Sequence, residues 1–284
     1  MKVLISADME GVCGVTSWVQ VTPPQYARGN HAPAEYERAR ARMTREVNAA
    51  VEGALAGGAV EVIVNDAHDG MRNLVPEELH ESVRFISGSD KALGMMQGID
   101  EEEVGAVFFV GYHAKAGTPH APLAHTWSDY VQDVRLGGVS TGEFGINAAV
   151  AGHFGVPVTL VTGDDKAVAQ VRGLLGEQVV GVVVKEGYTT YSAINLHPTR
   201  AQALIREGAE RAVRVAREAT PWRLEPETRF EIDFDHQARA GACLTIPGVQ
   251  RAGERSIAFV ATDALAFHRM FRAVMDASGV NLAT

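Results

Sequence analysis

Apolar runs of strand length alternate with longer helical patterns along the first two-thirds of the chain: "KVLISA", then "PAEYERARARMTREVNAAVEGALAGG", then "VEVIVND". Strand, helix and strand in that succession predict βαβ units and a mostly parallel sheet. In the helical stretch Met43, Val47, Val51 and Leu55 recur at spacing four. That places an apolar stripe on one face of a helix, which Gly57 and Gly58 stop. Further strands are expected at "VRFIS", "GAVFFVGY", "YVQDVRL", "VPVTLVT" and "QVVGVVV", and helices at "GEFGINAAVAGHFG" and "DDKAVAQVRGLLG". The expected fold class is α/β, a mostly parallel sheet flanked by helices on both faces.

The texture changes after about residue 196. One long helix, "HPTRAQALIREGAERAVRVAREA", is followed by "PWRLEPETRFEIDFD" and "RSIAFVATDALAFHRMFRAVMDASG". The expected division is an α/β domain over 1–196 carrying the chemistry and a smaller α+β C-terminal domain over 197–284. The net charge of −9 over 284 residues offers no footprint for nucleic acid or an anionic membrane. Acids arrive by position 8, too early for a signal peptide. There is no apolar run of about 18 residues to span a bilayer. Two cysteines, Cys13 and Cys243, make no disulfide framework. The expected location is cytoplasmic.

The first strand delivers two carboxylates, Asp8 and Glu10, in "SADMEGVCG". On extended backbone, side chains two apart point the same way. Two like charges on one spot leave one protonated or hold a cation between them. Two more strand-like runs end in suitable residues: "VEVIVNDAHDG" in His68, with Asp66 and Asp69 beside it, and "GAVFFVGYHAKAG" in His113. The carboxyl ends of parallel strands share one edge of the sheet, where ligands bind. Glu143, in "STGEFGINAAV", adds a third carboxylate near a helix start. Three carboxylates and two imidazoles suit two divalent ions of the zinc type sharing a bridging carboxylate. Each residue also has a local reading. Glu143 follows Ser140 at capping-box spacing, Asp8 could cap a turn before Gly11, and either histidine could be hydrogen-bonded in a loop.

The blocks "SADMEG", "YERARARMTREVNAAV", "VNDAHDGMRNL", "GYHAKAGTPHAPLAH", "GEFGINAAVAGHFGVPVTLVTGDD" and "PGVQRAGERSIAFVATDALAFHRMFRAV" resemble, in order, those of the dipeptide-operon D-aminopeptidases, a family of zinc metallopeptidases. The resemblance spans nearly the whole chain. It implies two zinc ions held by Asp8, Glu10, His68, His113 and Glu143, and water activated by them to attack the scissile carbonyl. A further histidine implicated in catalysis falls on His125 in "LAHTWSD", with His120 its nearest competitor. The implied substrate is a short peptide with an N-terminal D-amino acid such as D-Ala. The implied assembly is a homodecamer, two stacked five-membered rings around a chamber. Trp222, Phe230, Phe234, Phe259, Phe267 and Phe271 either serve such contacts or fill a second core.

Asp66 and Asp69 either orient ligand imidazoles or form a solvated turn. The "TGDDKAV" run reads as a strand end followed by an acidic helix start. His31, His80, His153, His197, His236 and His268 lack acids at ligand spacing and read as structural, and Cys13 reads as a packed thiol. One alternative function is a magnesium phosphohydrolase of the haloacid-dehalogenase type using Asp8 and Glu10, with "GDD" as its later metal motif. It has Glu where that family has Asp, lacks a further Asp, and leaves His68 and His113 idle. The other is a non-catalytic peptide-binding or metal-binding protein.

Overall fold

The computed structural model describes residues 1–26 and 32–282, so His31 lies outside the described residues. In chain order the first elements are β1 (Lys2–Ala7), α1 (Trp18–Val21), α2 (Pro33–Ala56), β2 (Glu61–Asp66), β3 (Val83–Ile86), β4 (Val104–Tyr112), β5 (Val131–Leu136), β6 (Val139–Thr141) and α3 (Glu143–His153). They are followed by β7 (Val158–Asp164), α4 (Asp165–Leu175), β8 (Val180–Thr189), β9 (Ser192–Asn195) and α5 (Pro198–Val215). The chain continues through β10 (Thr228–Phe234), α6 (Gln237–Cys243), β11 (Gln250–Arg251), β12 (Ser256–Ala261) and α7 (Ala264–Ser278).

Among the described residues the strands form a seven-stranded sheet, β3-β2-β1-β4-β7-β8-β9, and a five-stranded sheet, β11-β12-β10-β5-β6. Every pairing in the first is parallel except β8 with the edge strand β9. β1, β2 and β7 are buried along nearly their whole length. A strand covered by helices on both faces needs apolar residues at almost every position, so these runs are unbroken in the sequence.

Side chains alternate between two cores. Val3 and Ile5 of β1 meet α2 and α5 on one face, where Met43, Val47 and Val51 are fully buried and Leu55 packs alongside. Leu4 of β1 and Val107 and Phe109 of β4 meet α3 and α4 on the other. Sheet order reverses at the β1/β4 pair: β2 and β3 lie on one side of it, and β7 and β8 on the other. Such a switch opens a crevice outside the carboxyl ends of the two strands.

Two expectations are corrected. β5, anticipated in the parallel sheet, pairs antiparallel with β10 and β6 in the second sheet. Its sequence VQDVRL buries one face only, the mark of an antiparallel strand. The packing also does not divide at residue 196, because the second sheet takes β5 and β6 from before that point while α5, from after it, packs on α2. Trp222 is half-buried, and Phe230, Phe234, Phe259, Phe267 and Phe271 are buried in a third core between the second sheet, α6 and α7. Phe230 and Phe267 stack there with centroids 4.1 Å apart. The C-terminal aromatics therefore fill this chain's own interior.

The α2/α5 contact is close because Gly53 has no side chain: a Cβ there would lie 2.1 Å from the Arg206 carbonyl oxygen. Gly53→Ala forces the helices apart, an overpacking cost of about 1–3 kcal/mol or more. That opposes the roughly 1 kcal/mol alanine gains over glycine inside a helix. Chemical denaturation should show a net loss of stability; a variant as stable as its parent would mean the two helices separate freely.

Candidate metal centre

The crevice between β1 and β4 collects the predicted residues. Asp8 and Glu10 follow β1, His68 follows β2, His113 follows β4, and Glu143 opens α3. These five are between 2% and 6% exposed. His113 reaches the crevice through an irregularity in the β4/β7 register between Phe109 and Tyr112. Gly111 lies there at φ +74°, and a Cβ on it would stand 2.3 Å from the Asp8 carbonyl oxygen. Only glycine lets β4 come so near the Asp8 backbone while taking the left-handed turn that a bulge uses.

Each imidazole is fixed by one ring nitrogen and offers the other. His68 Nε2–H donates to Val21 O at 2.7 Å, His113 Nδ1–H to Ala114 O at 3.0 Å, and His125 Nδ1–H to Leu123 O at 2.9 Å. Backbone anchoring of this kind sets the tautomer of a metal-ligating histidine. The free nitrogens point at carboxylates. His68 Nδ1 lies 3.2 Å from Asp8 Oδ1 and 3.0 Å from Glu10 Oε2. His113 Nε2 lies 3.5 Å from Asp8 Oδ2 and 3.4 Å from Glu143 Oε1. His125 Nε2 is 3.6 Å from Glu143 Oε1 and 4.0 Å from Glu10 Oε1.

Lone pairs facing lone pairs need protons or cations between them. Burial, and then Glu10, push the Asp8 carboxyl up to about 7. Burial opposes charge at the other groups but is outweighed: Glu143, Asp8 and Glu10 raise His113 to about 10, and His68 with its neighbouring histidines holds Glu10 well below the usual carboxylate range. Asp8 Oδ2 and Glu10 Oε2 are buried with no hydrogen-bond partner. The ligand atoms of Asp8, Glu10 and His113 lie within 4.8 Å of one another, as do those of His113, His125 and Glu143. Oxygen and imidazole donors in this mixture fit a zinc-type cation.

A cavity of about 570 Å³ opens beside the cluster. The His125 ring stacks on His113 at 4.1 Å, and Trp18 meets it edge-on at 5.2 Å. Trp127 lines the cavity and donates its backbone N–H to Glu143 Oε1 at 2.7 Å. His120, Leu123 and Trp127 all hold positive φ, at +54°, +52° and +66°. Sequence reasoning missed both tryptophans. "HTWSD" next to a candidate histidine was the available signal for Trp127, but Trp18 sits in a four-residue helix with no periodicity to mark it.

The local alternatives resolve as follows. His120 is exposed and donates from Nδ1 to Tyr188 O at 2.6 Å, away from the cluster. Gly142 is the N-cap of α3, and Ser140 bonds Asp133 instead of capping. Asp66 makes no hydrogen bond to an imidazole among the described residues; it accepts from Asn73 N and Leu74 N at 2.5 and 2.8 Å, closing the loop that carries His68. Asp69 lines the cavity. Asp164 of the "GDD" run caps α4, accepting from Lys166 N and Ala167 N at 2.9 and 3.0 Å. His197 and His236 cap helices, and His268 is buried. Cys13 donates to Leu196 O at 2.9 Å, and burial pushes its thiol up to about 11.

A family model described as D-aminopeptidase matches residues 1–273. The chain belongs to the D-aminopeptidase family. Among curated members of known name, the D-aminopeptidase of Bacillus subtilis strain 168 is 34% identical over 268 residues, covering 93% of each chain. Among solved structures, the zinc-dependent D-aminopeptidase DppA of Bacillus subtilis, described as a self-compartmentalizing protease, superposes with a TM-score of 0.92 at 29% identity over 100% of both chains. Membership in the D-aminopeptidase family accords with the α/β fold and with a zinc-type donor set. Among the described residues no helix is long and apolar enough to cross a membrane.

The protons this buried cluster takes up set a pH dependence. His113, raised from 6.5 to about 10, stabilises the metal-free fold fully below pH 6.5 and loses that contribution as pH climbs toward its folded value. Asp8, raised from 3.8 to about 7, runs in the same direction between those values. Metal-free protein should therefore melt lower at about pH 8 than at about pH 6.5, and saturating zinc should flatten the difference. A metal-free melting temperature that rises over this interval would contradict the account.

Proposed function

We propose that this chain is a zinc-dependent aminopeptidase that removes an N-terminal D-amino acid, such as D-Ala, from short peptides, with two ions held by Asp8, Glu10, His68, His113 and Glu143. The observation that carries this is Asp8: its Oδ1 faces His68 and its Oδ2 faces His113. A carboxylate placed so would be shared by two ions, with Glu10 and His68 holding one and His113 and Glu143 the other. Zinc, when bound, polarises a carbonyl and makes water nucleophilic near neutral pH.

The chain's own residues supply positioning and proton transfer. His125 Nδ1–H is tied to Leu123 O, so Nε2 faces the cluster with its lone pair free. Burial and the neighbouring His113 hold its imidazole below the usual histidine value, so at neutral pH it is a base. It takes a proton from the attacking water at Nε2 and gives it to the leaving amine. Asp69 and Asp129 give the cavity an anionic wall, which suits the ammonium of an unblocked peptide N-terminus. Metal storage needs neither a cavity of this size nor a sixth converging donor. The phosphohydrolase alternative loses its later metal motif to the helix cap at Asp164.

Zinc-loaded protein should hydrolyse D-alanyl p-nitroanilide and leave p-nitrophenyl phosphate untouched; the reverse preference would overturn the reading. His125→Ala should keep its metal but lose about 10²- to 10⁴-fold in turnover, and metal loss in that variant would make His125 a ligand. His68→Ala and His113→Ala should lose metal and activity together.

Assembly into a homodecamer, with the cavities opening onto an enclosed chamber, is part of the same proposal. DppA's description as self-compartmentalizing supports it, as do Tyr188, Tyr191 and Ile194, exposed by 57%, 62% and 51% on the β8–β9 hairpin at the sheet edge. Light scattering should give about ten chains under closed symmetry, and turnover should fall steeply with peptide length. A fully active monomer would sink the assembly claim.

A further inference from the structure

The segment from Glu10 to Val15 is neither helix nor strand, and all of it except Gly14 is buried. Buried backbone groups must find partners, and here side chains from three distant elements provide them. Lys185 of β8 donates through Nζ to Glu10 O at 2.5 Å, Val12 O at 3.1 Å and Val15 O at 2.6 Å. Asn195 Oδ1 of β9 accepts from Gly14 N at 2.7 Å. On α2, Glu46 Oε1 accepts from Cys13 N at 2.9 Å and Arg42 donates to Gly14 O at 3.2 Å.

Lys185 and Asn195 are register partners on one antiparallel hairpin. The hairpin therefore holds the loop after β1 at two points with one pair of residues. Lys185 is 1% exposed, and an ammonium taken so far from water is costly unless all its donors are satisfied. Three carbonyls meet three N–H donors. An apolar side chain of the same length would fill the space without that desolvation cost, but it would leave three carbonyls orphaned and the loop free to relax.

We propose that Lys185, seconded by Asn195, is a positioning residue for the metal centre: it fixes the backbone of Glu10 so that the carboxylate faces Asp8 and His68. The inference rests on the reading of Glu10 as a ligand. It acts chiefly on one half of the cluster. His113 and Glu143 have further support of their own, from β4 and from the Trp127 N–H, although Gly11 N donates to Gly111 O at 2.8 Å and ties the β4 bulge to the same loop.

The test is a titration of metal-stripped full-length protein with zinc alone, reading stoichiometry and the affinity of each ion by chelator competition. Wild type should bind two ions. In Lys185→Met one ion should weaken by about 10- to 100-fold, the range for lost outer-shell partners, while the other weakens by a clearly smaller factor. Asn195→Ala, at a half-buried position where folding is less at stake, should weaken the same ion by a smaller factor. Val274→Ala, buried in the third core, controls for general loss of stability and should leave both ions unchanged. If Lys185→Met fails to fold, Asn195→Ala decides alone. Parental affinities for both ions in the clamp variants, or equal weakening of both in step with Val274→Ala, would overturn the proposal. A wild type that takes up no zinc would instead overturn the metal-centre reading, and this inference with it.

Discussion

Three carboxylates and three imidazole lone pairs converge at the ends of β1, β2 and β4, and this repulsive meeting is the constraint around which the rest is arranged. Leaving one buried charge uncompensated costs several kcal/mol; a cluster of like groups is stable only with cations or borrowed protons inside it. Parallel strands are the economical way to produce such a meeting, because they bring residues from far apart in sequence to one edge. The β1/β4 switch point supplies the crevice, and the Gly111 bulge brings His113 into it.

The second sheet supports the same centre. The segment from His113 to Tyr130 leaves the crevice, passes His125 and Trp127, and ends against the C-terminal elements. Trp127 meets Phe271 of α7 edge-on at 5.2 Å, and Tyr130 donates through its hydroxyl to Met275 O at 3.3 Å. Asp235 N donates to Tyr130 O at 2.9 Å. The aromatic core of the C-terminal part thus anchors the wall of the cavity, and the two sheets work as one support for the site.

The sequence disclosed what rests on local period and residue type. Unbroken apolar runs marked β1, β2, β4 and β7, a four-residue spacing marked the buried face of α2, and carboxylates and histidines at strand ends marked the residues that the fold brings together. What stayed hidden depends on contacts between distant segments. β5 sits in sequence among the strands of the parallel sheet, and only its polar alternation argues for a one-sided sheet. Lys185 closes an apolar run, and nothing near it in sequence indicates that its partners lie 170 to 175 positions earlier. The role of Asp66 in closing its own loop was masked by its closeness to His68. His120 and His125 could be told apart only when the hairpin carbonyl that occupies His120 was placed.

The left-handed residues on the segment that carries His125 have one more consequence. His120, Leu123 and Trp127 each hold a backbone conformation that a side chain disfavours, at roughly 1–3 kcal/mol apiece. Glycine at Leu123 would relieve that strain while loosening the carbonyl from which His125 hangs. Heat tolerance gained by relieving strain on this segment thus comes where turnover tolerates it least, whereas Asp90, Glu103 and Glu227, left-handed and away from the cavity, offer the same relief without that conflict.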